Sequence, residues 1–223
     1  MLPHPPKILK SLEPISLQNF EDEIELKNVS LNEASAESPI SARNVDISGA
    51  RFTAVDLYQF RLNKFRAEDF TITGGDLSVV NFSNSTFIRT EFTSTRLTGT
   101  NFTECMLEDV VFTSCKLDMA TLRYAKFKRV IFRGCDFSET DFSGSSFEHV
   151  TFDACTIDKV RFDQCAIKSL DLTTSTIVEL YGWSSLKNVI INQIQLIEVS
   201  PYLAHELGIK ILADESDTGE LKK

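Results

Sequence analysis

Read in steps of five from Ile47, the chain places an apolar residue at every step as far as Ile177. Twenty-seven consecutive slots are filled, twenty-six of them by Phe, Leu or Ile, with Ala67 the exception and no insertion in the series. A second column two residues earlier holds mostly small or β-branched side chains, among them Val45, Ala50, Thr95, Thr100, Cys105 and Val110. A period of five fits neither the 3.6 of a helix nor the 2.0 of a simple strand. It fits short extended sides joined by turns, each side pointing one large and one small residue inward and the rest to water.

Glycine and proline support this division. Gly49, Gly74, Gly99, Gly134 and Gly144 all fall two residues after a large centre, where a corner can require a positive φ. All six prolines lie outside 42–181, as expected of a ladder in which every backbone N–H is needed. Phe60, Phe65 and Phe70 stand in the small column near the one small centre, Ala67. That exchange keeps core volume roughly constant and predicts early coils that are wider or slightly distorted.

Typical units are Thr-Asn-Phe-Thr-Glu (100–104), Cys-Asp-Phe-Ser-Glu (135–139) and Thr-Asp-Phe-Ser-Gly (140–144). On these units the chain resembles the pentapeptide-repeat family across about 140 of its 223 residues. The resemblance implies an all-β fold: a right-handed quadrilateral parallel β-helix with four repeats per coil. Residues 42–181 would then form seven coils, a rod of roughly 34 Å at about 4.8 Å per coil.

The ends must close the stack. Residues 1–41 read as an N-terminal tail and a partial first coil, since Ile24, Leu26, Val29 and Leu31 form two units one residue out of step with the main run. Residues 182–213 read as a C-terminal cap: Trp183, a strand-like Asn188–Asn192, and a short helix over Tyr202–Leu207. Ser200-Pro201 provides that helix's expected start and Gly208 its stop. Residues 214–223 are expected to be disordered. The segment around the helix is similar to the terminal helix of gyrase-affecting, quinolone-resistance members of the family, which closes the coil and can pair two chains. Trp183, Tyr202, Leu203 and Leu207 are therefore the candidate dimer or cap contacts.

The remaining chemistry is sparse. All five cysteines (105, 115, 135, 155 and 165) fall in the inward small column and form no Cys-x-x-Cys pair, which fits packing better than metal or redox work. His4, His149 and His205 have no second histidine or cysteine at ligand spacing. A convex rod offers no evident cleft for a Ser–His–Asp site. Catalysis, cofactor and metal are not expected. The net charge of −9 disfavours direct nucleic-acid binding, no run reaches the roughly 18 apolar residues of a membrane span, and the proline-rich N-terminus without a long apolar run is not expected to be a secretory signal. The expected location is the cytoplasm.

Function is then left to the outer faces. The face centred on Leu57, Leu77, Leu97, Leu117, Phe137, Ile157 and Ile177 has a balance of −4, and its Asp76, Asp118, Asp136, Glu139, Asp158 and Glu179 are candidate partner-binding residues. The face of Leu107, Phe127 and Phe147 carries a basic cluster of Lys126, Lys128 and Arg129. A third face aligns Thr53, Thr73, Thr93 and Thr113. The main expectation is a non-catalytic protein-interaction module, monomeric or paired through its C-terminal helix. The resemblance adds the alternative of a DNA mimic that modulates DNA gyrase and contributes to fluoroquinolone tolerance. The threonine column adds a remote third, an ice-binding surface.

Overall fold

Every fifth residue from Asn44 to Gln164 has a positive φ, between 47° and 74°. This left-handed residue turns the corner. Its N–H then donates to a carbonyl of the next coil, as Ala54 does to Thr73 at 2.9 Å and Glu139 to Asp158 at 2.8 Å. Only Gly49, Gly74, Gly99, Gly134 and Gly144 meet the requirement without a Cβ; the other corners accept a cost of roughly 1–2 kcal/mol each in exchange for the ladder. Repetition of this unit gives a right-handed, four-sided parallel β-helix of about nine turns, closed by one C-terminal helix. The computed structural model describes residues 1–35 and 38–211, and the expectation of disorder for 214–223 lies outside them.

The four sides are not equivalent. Strands Asp46–Thr53, Arg66–Thr73, Thr86–Thr93, Met106–Thr113, Lys126–Arg133 and Ser146–Asp153 each run along two sides and bend at the corner residue between them. Partners stand twenty residues apart, as in Phe92↔Phe112↔Phe132. The other two sides touch through bridges such as Asp56↔Asp76 and Asn81↔Asn101, and each ends in a tight turn, for example Val80 N–H to Leu77 O at 3.2 Å. At the N-terminal end Leu26 pairs with Ile47 and Leu31 with Phe52, one residue more than the twenty found elsewhere. The chain thereby absorbs the offset in its sequence.

Both inward columns are buried along the main run except at Gly75 and Cys165, which are half-buried, and the large one forms a spine of phenylalanines. Phe92 and Phe112 stack at 4.6 Å, Phe112 and Phe132 at 4.9 Å. Among the early intruders, Phe70 meets Phe52 edge-on at 4.9 Å and Phe65 lies 5.5 Å from Phe82. The small column has a chemical rule as well as a size rule. Thr100, Thr140 and Ser145 each donate a hydroxyl to the carbonyl 23 residues back, at 2.8, 2.8 and 2.6 Å. Cys105 and Cys165 direct their thiols to the equivalent carbonyls at 3.0 and 3.2 Å. Serine, threonine and cysteine are thus interchangeable small donors here.

Phe20 and Leu17 close the N-terminal end, Phe20 packing edge-on against Phe52 at 6.1 Å. The C-terminal helix, α1, spans Gln193–Glu206, which corrects the start expected at Ser200-Pro201. Its cap is Asn192: the Gln195 N–H donates to Asn192 Oδ1 at 2.9 Å, and the Asn192 N–H to Gln195 Oε1 at 2.8 Å. Pro201 lies inside the helix. It offers no N–H to the Ile197 carbonyl, and the Ser200 hydroxyl fills that place at 2.8 Å. Of the strand-like segment before α1, Val189–Ile190 is strand, paired with Leu170–Asp171.

Candidate interaction surfaces

The predicted acidic face is continuous but its carboxylates are not alike. Asp76 and Asp136 accept the N–H of Ser78 and Ser138, at 2.8 and 3.0 Å. These are turn-forming contacts that any aspartate or asparagine makes at this position. Asp118 accepts the Thr98 hydroxyl at 2.7 Å, and Glu179 the Tyr181 phenol at 2.6 Å. Glu139 is exposed and Asp158 half-buried. Arg96 and Lys116 sit between Asp76 and Asp136 in one column, yet none of the six candidate carboxylates has a cation within 4.0 Å among the described residues. The negative charge of this face is therefore open to solvent.

The opposite situation holds at the corner through Asp69, Arg89, Asp109 and Arg129. Arg89 grips Asp69 (Nε to Oδ1, 2.6 Å) and Glu68 (Nη2 to Oε1, 2.6 Å). Two coils on, Arg129 repeats the grip on Asp109 at 2.6 Å and Glu108 at 2.7 Å. The Arg89 hydrogen bonds hold Glu68 and Asp69 below the usual carboxylate range. At Asp109 burial pushes the pKa up, but the Arg129 and His4 bonds outweigh it and hold the group at about 2. Lys128 pairs with Glu108 at 2.8 Å, so two members of the predicted basic cluster are spent on ion pairs. Lys126 instead rims a groove of about 620 Å³ floored by Phe127, Phe147 and Ile167.

The threonines 53, 73, 93 and 113 stand in register on one sheet face, and an Arg133–Asp153 pair at 3.2 Å ends the column. The thiols are packing groups: burial pushes Cys105 up to about 12 and Cys165 up to about 11. Among the described residues no group of three or more His, Cys, Asp or Glu side chains could hold a metal, and no helix is long and apolar enough to cross a membrane.

The four candidate contacts at the C-terminal end divide. Trp183 and Leu203 pack partly buried on the core, and the Trp183 indole N–H has no partner among the described residues. Tyr202 and Leu207 face solvent. The inner side of α1 carries Gln195 and Val199, both buried; Gln195 Nε2 donates to the Leu172 and Ser175 carbonyls at 2.7 and 2.6 Å and so closes the last coil. The outer side carries Ile194 (68% exposed) and Ile197 (73%), and Leu207, just past the helix end, is exposed as well. Sequence reading missed Ile194 and Ile197 because it began the helix too late. The Asn192-x-x-Gln195 capping box was the signal for them.

A rod of five-residue units with these turns and columns is one class of repeat protein. The model of the pentapeptide repeat region matches residues 45–122, 105–181 and 125–200, and the chain belongs to the pentapeptide repeat family. Among solved structures it is similar to full-length QnrB1, a plasmid-mediated fluoroquinolone resistance protein (20% identity, 88% of this chain and 95% of that one, TM-score 0.42). It is also similar to HetL, involved in heterocyst differentiation regulation, from the cyanobacterium Nostoc sp. strain PCC 7120 (12%, 74% and 91%, TM-score 0.38). A third is Rfr23 from the cyanobacterium Cyanothece 51142 (10%, 79% and 93%, TM-score 0.20). No curated protein sequence matches the chain.

Proposed function

We propose that this chain is a non-catalytic interaction module that works as a pair of rods joined through α1. The observation that carries this reading is the orientation of the helix. It turns Gln195, Val199 and, in part, Leu203 to the core and leaves Ile194, Leu196 and Ile197 in water, with Leu207 exposed just past its end, more apolar surface than a helix that serves only as a lid leaves open. Members of the family are generally structural or interaction proteins, which supports the absence of a catalytic role. In the double variant Ile194→Glu/Ile197→Glu the cap contacts of Gln195 and Val199 are untouched. Sedimentation velocity is expected to show a pair for the natural chain and single rods for the variant, with the same circular dichroism spectrum for both and a lower, concentration-independent thermal midpoint for the variant. Single rods for both would overturn the reading.

A second reading names the rod's target as DNA gyrase, with the acidic face standing in for duplex DNA. It is favoured by the open charge of Asp118, Glu139, Asp158 and Glu179, and weakened where Asp76 and Asp136 serve their own turns. Supercoiling by purified gyrase, with and without a fluoroquinolone, tests it. No change on adding the protein removes it.

A further inference from the structure

Residues 3–7 read Pro-His-Pro-Pro-Lys, so His4 and Lys7 are the two positions of that stretch that own a backbone N–H. Both are spent on the rod. His4 N–H donates to Asp109 Oδ1 at 3.1 Å, and Lys7 N–H to Asp69 Oδ1 at 2.8 Å. The His4 ring adds Nδ1 to Asp109 Oδ2 at 3.0 Å. Asp69 and Asp109 occupy the same corner two coils apart, a separation of about 9.6 Å at about 4.8 Å per coil. Three residues of polyproline II advance about 9.3 Å and complete one turn. A tail in that form spaces its two donors at about the pitch of the two acceptors, and the two bonds made to one corner put both donors on the same side of the tail. Pro3 and Pro6, also three apart, are half-buried, while Met1, Leu2 and Leu9 are exposed.

The acceptors do not depend on the tail for their position. Arg89 and Arg129, each bonded to two carboxylates, fix Asp69 and Asp109 from within the rod. An ionised carboxylate has about four acceptor sites, and the tail's N–H groups take places the arginines leave. The tail itself is held by two backbone hydrogen bonds, one histidine contact and two half-buried prolines, an amount of contact that a competitor can match.

We propose that this corner is a binding track for extended, proline-rich peptides of a partner protein, with residues 3–8 as its resident, displaceable occupant. The fitting ligand is a polyproline II segment whose N–H-bearing residues are three apart. The full-length variant His4→Pro/Lys7→Pro tests this without touching the rod: it removes both donors and keeps the extended form. The probe is a fluorescein-labelled peptide of residues 1–10, followed by fluorescence polarisation. The natural chain, its track occupied at the high effective concentration of a tethered segment, should bind the probe at least tenfold more weakly than the variant. A probe carrying the same two proline substitutions should bind neither chain. Equal binding to both chains, no binding to the variant, or equal binding of the two probes would each overturn the proposal. Trypsin cleavage after Lys10 gives an independent readout in full-length protein. It should be at least fivefold faster in the variant, and an unchanged rate counts against a docked tail.

Discussion

Replacing Asp109 with asparagine removes one charge from the corner ladder and leaves the Arg129 guanidinium, its side chain only 12% exposed, with Glu108 as its remaining carboxylate. The Asp109 carboxyl is held at about 2 against an ordinary 3.8. One unit corresponds to about 1.4 kcal/mol, so the ionised group contributes about 2–3 kcal/mol at neutral pH. The sign follows from the lowered value. The contribution is complete above the unfolded value of 3.8 and lost as pH falls through about 2, so about half remains at pH 3. Urea unfolding of Asp109→Asn beside the natural chain measures it directly. With a slope of about 3 kcal/mol per M, the midpoint should fall by about 0.8 M at pH 7. The gap should shrink to about half that at pH 3. A gap of equal size at both pH values, or none at pH 7, would refute the electrostatic account of this corner.

Other consequences are as direct. Val79 is β-branched at φ 59° with its side chain half in water, so Val79→Gly should raise stability by about 1 kcal/mol in thermal melts, whereas Val79→Ala, which keeps the Cβ, should give little of that gain. Phe112→Ala opens a gap in the stack between Phe92 and Phe132 and should cost about 3–5 kcal/mol in denaturant titration. Burial holds the Cys105 thiol at about 12, so iodoacetamide at pH 8 should leave it unmodified until denaturant is added.

The sequence reveals the body of this fold because each coil solves the same problem with the same residue types. A large centre and a small partner recur in step from Ile47 to Ile177 and a left-handed corner from Asn44 to Gln164, and no local feature competes with them. The reading fails where a residue's role depends on one particular neighbour. Pro201 resembles a helix start until the Ser200 hydroxyl is seen at the Ile197 carbonyl, which lets the helix pass through it. Asp76 and Asp136 are legible as charges on one face, while their turn-forming bonds to the Ser78 and Ser138 N–H groups are not. The docking of the tail joins Lys7 to a residue 62 positions away and His4 to one 105 away, contacts that no periodicity announces. The cysteines were legible as packing residues, while their shared hydrogen bond with the serines and threonines of the same column was not.

The central claim is that the molecule works as paired rods joined at α1, and small-angle X-ray scattering of the full chain over a concentration series tests it most directly. About nine turns at about 4.8 Å give a stack of roughly 43 Å. The account predicts a scattering mass of twice the 25.1 kDa chain and a particle about twice the length of one stack, both constant across micromolar concentrations. A mass of 25.1 kDa with the length of a single rod at every concentration would contradict it.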